Sequence, residues 1–160
     1  MQGMIKHNNL EQKEVTPLTL TDLYDIADSN NVSVYHFPLY PLKSISTPGN
    51  IGIDVDQIKT SIDEKEHLAH ELGHCMKYAF YTGSSPYELR SQKEYRANKW
   101  AIEHLVPYHL LVTTIKNGLV SSWELSEYFG VSESFMKKAL DFYSNKLMFQ
   151  NFKKRKVKIK

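Results

Sequence analysis

The chain predicts an α+β fold, a small sheet set among helices, and three observations carry that expectation. Two short segments, Val32 to Phe37 and Ile51 to Val55, alternate apolar and polar residues as half-buried strands do. Longer segments on either side repeat apolar residues with helical spacing. The 160 residues, 41% hydrophobic and 24% charged, supply enough material for one sizeable core.

The elements follow in chain order. Thr19 to Ala27 has helical periodicity with Thr19 or Thr21 as N-cap, and Asn30-Asn31 stops it. After the first strand, Pro48-Gly49-Asn50 turns the chain into the second. Leu68, Leu72, Cys75, Met76 and Ala79 make the apolar stripe of a helix. Glu94, Ala97, Asn98, Ala101 and Leu105 share one face of the next. Pro107 suits the first position of a helix that continues through Leu110, Leu111, Thr114 and Ile115 until Asn117-Gly118 stops it. Ser121 and Glu124 form a capping box. Leu125 to Leu140 then reads as a helix-turn-helix, with Gly130 in the turn and Ser132 capping the second helix. The expected organisation is a core over residues 1–118, a helix-turn-helix-like part over 119–150 and a basic tail over 151–160.

Chemistry concentrates in His70-Glu71-Leu72-Gly73-His74. Side chains at i and i+4 lie on one helical face, so both imidazoles can reach a single metal ion at roughly 2.0 to 2.1 Å. Glu71 points elsewhere, but it can lean over the metal's open position, where a general base is needed to take a proton from water. A catalytic zinc usually has three protein ligands. Glu94 is the third candidate, because Ala97 and Ala101 on its face allow a close helix approach. Asn98, one turn on, is placed to accept a hydrogen bond from the far nitrogen of a ligating imidazole. An oxyanion partner is also required, and Tyr78, Tyr81, Tyr95, Tyr108, His36 and His104 are all eligible.

Leu68-Ala69-His70-Glu71-Leu72-Gly73-His74-Cys75, then Glu94-x-x-Ala97-Asn98-x-x-Ala101, then Leu105-Val106-Pro107, resembles the ImmA/IrrE family of metallopeptidases. The resemblance runs from about Thr19 to about Tyr143. It implies a zincin-like core with a Zn2+ cofactor, His70, His74 and Glu94 as ligands and Glu71 as catalytic base. It also implies an endopeptidase whose protein substrate is a helix-turn-helix repressor of a phage or mobile element. The family often has aspartate where this chain has Asn98, so the imidazole oriented here should be the weaker electron donor. A strand beside the active-site helix commonly takes substrate backbone in such enzymes. Ile51 to Val55 is the strand expected to do so, unless it is interior.

Composition narrows the rest. No apolar run approaches the roughly 20 residues of a membrane helix, and Met1 to Lys6 lacks a signal-peptide core, so the expected location is cytoplasmic. Cys75 is the single cysteine, which excludes an internal disulfide and reads as a small buried hydrophobe. Six of the last ten residues are basic, leaving 14 basic against 18 acidic residues in the rest of the chain. Such an end is expected to be disordered and to give at most weak, salt-sensitive DNA contact. Two other functions stay open in the sequence: a binding module that sequesters a repressor without cutting it, and a DNA-binding regulator using the C-terminal helices and basic tail.

Overall fold

The computed structural model describes residues 16–157. In order, the elements are α1 (Leu20–Ser29), β1 (Ser33–His36), β2 (Ser44–Thr47), β3 (Asn50–Ile53), α2 (Ser61–Met76), α3 (Tyr87–Leu105), α4 (Tyr108–Lys116), α5 (Ser122–Phe129) and α6 (Glu133–Val157). The fold is α+β, as the alternating and helical patterns require. Among the described residues, no helix is long and apolar enough to cross a membrane.

Local signals start and stop these elements. Thr19 caps α1 in a capping box with Asp22, and Asn31 leaves the helix with a φ of 56°. Thr60 caps α2, where Asp63 and Glu64 in the first turn face the positive end of the helix dipole. Ser121 and Glu124 form the expected box on α5, and Gly130 closes that helix in the left-handed conformation. The Ser132 hydroxyl then accepts from the Phe135 amide at 3.1 Å at the start of α6.

The sheet has the order β1-β3-β2, with β1 parallel and β2 antiparallel to β3. Its central member, β3, is therefore hydrogen-bonded on both sides and cannot accept a substrate strand, so of the two alternatives for Ile51 to Val55 the interior strand is the one found. The open edge beside α2 is β2, a strand absent from the sequence reading. Ser44-Ile45-Ser46-Thr47 is too polar to declare itself. Yet it alternates, and the two residues Pro48-Gly49, with Gly49 at φ 78°, join it to β3 as a hairpin.

One cluster of buried residues runs through the whole described chain. Leu68 and Leu72 of α2 sit among Ile51 and Ile53 of β3, Leu23 of α1, and Trp100 and Leu105 of α3. Leu125, Phe129, Phe135, Met136 and Ala139 of the helix-turn-helix-like pair belong to the same cluster. Two adjacent residues of α2 tie that pair down. The Lys65 ammonium donates to the carbonyls of Phe129 and Gly130 at 2.8 and 3.0 Å, and Glu66 accepts from the Ser132 amide and hydroxyl. A cation thus meets the C-terminal end of α5 and an anion the N-terminal end of α6, each the favourable sign for the helix dipole.

The end of the chain departs from expectation. Residues 151–157 continue α6 instead of forming a disordered tail, and 158–160 lie outside the described residues. Lysine and arginine are good helix formers, and positive charge suits a helix C-terminus, so a helix already nucleated by packing can propagate into a basic stretch.

Candidate metal centre

His70 and His74 project from α2 with their ring planes at 83° and their Nε2 atoms 3.1 Å apart. Glu94 reaches them from α3, one carboxylate oxygen 3.3 Å from Nε2 of His70 and the other 3.2 Å from Nε2 of His74. For a tetrahedral ion with ligands at 2.0 to 2.1 Å, neighbouring donors stand about 3.3 Å apart. The imidazole nitrogens, 3.1 Å apart, are close to one edge of such a tetrahedron, and a different oxygen of the Glu94 carboxylate lies at that range from each of them. Two imidazole nitrogens and one carboxylate also make the chemically appropriate donor set for a borderline-soft divalent ion. His74 is buried, while His70 and Glu94 are partly exposed, so the centre opens to solvent on one side.

The close approach of the two helices explains how a short carboxylate spans them. Gly73 of α2 lies against the backbone of Ala97 of α3, so near that a Cβ on Gly73 would fall 2.5 Å from the Ala97 carbonyl oxygen. Ala97 and Ala101 are fully buried, as their place on the Glu94 face suggested. Gly73 is the matching small residue on the other helix, and the motif itself carried that signal.

His74 is oriented by backbone. Its Nδ1 donates to the Ala79 carbonyl at 2.8 Å, which leaves Nε2 directed at the other donors. The geometry depends on Tyr78, whose φ of 47° ends α2 and turns the chain back so that the Ala79 amide also bonds the His74 carbonyl. A non-glycine residue in that conformation carries a backbone cost, offset here by two bonds to the histidine. His70 has no equivalent anchor in the backbone. Burial, the largest influence, lowers its pKa against the pull of Glu71 and Glu94, which favours the neutral imidazole that metal ligation requires. Asn98 adds the smallest upward pull on His70, while its amide nitrogen donates to the Glu94 carbonyl at 2.9 Å.

Glu71 is buried and held by the edge strand, an arrangement the sequence reading missed together with β2. Ser44 donates to one oxygen of Glu71 at 2.7 Å and Ser46 to the other at 2.6 Å. The i, i+2 spacing of the two serines places both on the face of β2 turned to α2. His67, one turn before Glu71, meets Ser44 Oγ through Nδ1 at 3.1 Å. Since the Ser44 proton is given to Glu71, His67 Nδ1 is the donor in this pair.

Of the six residues eligible as oxyanion partner, Tyr81 stands at the centre. Its hydroxyl donates to Glu94 at 2.7 Å, and that bond, with burial, raises its pKa to about 12. Its ring is 6.0 Å from that of His74. His36 is bonded to Tyr24 and Glu64, His104 is stacked on Trp100, and Tyr108 packs against Tyr143. Tyr78 is turned to solvent. Tyr95 lines a neighbouring cleft rather than the centre. Cys75 points away, its thiol near the Thr47 carbonyl, where burial pushes its pKa up to about 11.

The sequence pattern of the IrrE N-terminal-like domain, a peptidase family, matches residues 44–141, well over half of the chain. The chain belongs to this IrrE-like peptidase family. The matched span begins at β2 and ends within α6, so it contains the serines that hold Glu71, all three donor residues, α5 and the start of α6. No curated protein matches the chain. As a member of the IrrE-like family, it places at one point the two histidines and the glutamate from which sequence alone built a metal site.

Proposed function

We propose that the protein is a zinc-dependent endopeptidase, with His70, His74 and Glu94 as the ligands. The reading rests on one observation above others: two imidazole nitrogens and both oxygens of one carboxylate converge at 3.1 to 3.3 Å, with a buried carboxylate on the same helix as the histidines. Zinc bound there would supply a Lewis acid for the scissile carbonyl and acidify water. Glu71 takes the proton released as water attacks, then passes it to the departing amine nitrogen. Ser44 and Ser46 hold the carboxylate in one orientation for both transfers, and each Glu71 oxygen keeps a second lone pair to accept with. Tyr81 fixes Glu94 through its hydroxyl. The substrate we assign is a helix-turn-helix repressor of a phage or mobile element, on the strength of the family resemblance alone.

The decisive experiment is Glu71→Gln. It keeps the shape, with Ser46 able to turn and accept from the new amide nitrogen, but it cannot take a proton, so the variant should retain about one zinc per chain while cleavage falls by several orders of magnitude. The test substrate is the repressor encoded nearest the protein's own gene. Near-normal cleavage by the variant refutes the mechanism.

A second reading draws on the serine clamp itself. Ser44 and Ser46 bond both oxygens of Glu71 to the edge strand, an arrangement that also suits a structural carboxylate in a binding module that sequesters a repressor without cutting it. Tight repressor binding by the zinc-loaded wild type with no cut product, even after Ser44→Ala and Ser46→Ala free Glu71, would select it.

A further inference from the structure

Two clefts beside the metal centre share a wall. The first, about 270 Å³, is lined by Glu66, His67, His70, Glu94, Asn98 and Lys138 among others. The second, about 250 Å³, is lined by Tyr95, Asn98, Lys99, Ile102, Lys138 and Phe142. Asn98 of α3 and Lys138 of α6 belong to both, so an open groove leads from the donor atoms across Asn98 to a second compartment.

That compartment is basic over an apolar floor. It has two lysines and no acid in its lining, with Ile102 buried and Phe142 partly buried beneath them. Among the described residues, neither Lys99 nor Lys138 has an ion-pair partner, whereas the adjacent Lys137 pairs with Glu133 at 2.9 Å and Lys146 with Glu103 at 3.2 Å. Glu66, in the first compartment, is already engaged by Ser132. The cations at this end of the groove are therefore left for a ligand.

We propose that Lys99 and Lys138 form a subsite for an acidic side chain of the substrate, aspartate or glutamate, whose methylenes rest on Ile102 and Phe142. The proposal deepens the peptidase reading and rests on it for the position of the cut. From Glu94 to Lys99 is five residues of α3, a rise of about 7.5 Å. An extended peptide advances about 3.3 Å per residue, so the acid would sit about two residues from the severed bond. The aliphatic stems of the lysines keep the charged heads at the rim of the compartment, where a carboxylate can meet both while its carbon atoms leave water.

The test uses the full chain, zinc-loaded and immobilised as Glu71→Gln, against three pools of random peptides that differ only in a fixed central glutamate, glutamine or lysine. One exposed ion pair contributes up to about fivefold, so the glutamate pool should be retained roughly tenfold over the glutamine pool, less at high salt. Lys99→Glu with Lys138→Glu should turn the preference to the lysine pool at unchanged zinc content. Lys99→Arg with Lys138→Arg should preserve the original preference. In parallel, the wild type is given the same pools, and cuts should fall at a fixed distance of about two residues from the glutamate. Retention of the glutamate pool without cleavage supports the subsite and fails the peptidase reading. Equal retention of the glutamate and glutamine pools, or a preference untouched by charge reversal, overturns the subsite whether or not peptides are cut.

Discussion

A methyl group placed at Gly73 should damage the metal site more than the fold. In Gly73→Ala the new Cβ meets three backbone atoms of Ala97, the carbonyl oxygen at 2.5 Å, Cα at 2.9 Å and the carbonyl carbon at 3.0 Å. Ordinary contact begins near 3.4 Å, so the helices must separate by up to about 0.9 Å. No side-chain rotamer can relieve the clash, because all three atoms are main chain. Overpacking of this kind costs about 1 to 3 kcal/mol, and the better helix propensity of alanine returns about 1 kcal/mol. The net loss of zero to about 2 kcal/mol lowers the Tm of the metal-free protein by no more than roughly 8 °C. The donors are less forgiving. Metal–ligand distances tolerate shifts of about 0.2 Å, and Glu94 rides on α3 one turn from the contact, so zinc affinity should fall at least tenfold, roughly the smallest loss seen for an outer-shell defect. Zinc affinity by chelator competition, with melts in the presence and absence of chelator, measures the two effects separately. Wild-type affinity in Gly73→Ala would refute the claim that the α2–α3 separation sets the site.

Three further outcomes are expected. His70→Ala, His74→Ala or Glu94→Ala should each strip the metal, and full occupancy by metal analysis in Glu94→Ala would remove it from the ligand set; Asn98→Ala, whose pull on His70 is small, should weaken binding by no more than about tenfold. Lys65→Met leaves the carbonyls of Phe129 and Gly130 without their charged donor, at a cost of about 1.5 to 3 kcal/mol, and hydrogen exchange should show the α5–α6 turn opening first. The Cys75 thiol, pushed up to about 11 from 9.0, should alkylate at pH 8 about 100-fold more slowly than an ordinary cysteine until the protein unfolds; equal rates would place it outside the core.

What the chain determined by itself was whatever depends on neighbours in sequence. The i, i+4 histidines, the small residues on the Glu94 face, the N-caps at Thr19 and Ser121 and the glycine at position 130 each act within one or two helical turns. Their physics is complete in a short window, and the α+β class follows from the same windows. Helical spacing also made Glu94 a candidate ligand, but only the packing of α3 on Gly73 brings it to 3.2 and 3.3 Å from the imidazoles. Other features were invisible for a related reason. Ser44 and Ser46 are ordinary polar residues until β2 lies along α2 and aims them at Glu71, and β3 is interior only because a strand pairs with each of its edges. Lys138 looked like its neighbour Lys137, yet helical rotation turns one into the groove while the other pairs with Glu133. The tertiary structure decided these points because a side chain's role there is set by atoms distant in sequence, and local pattern holds no record of which distant surface will arrive.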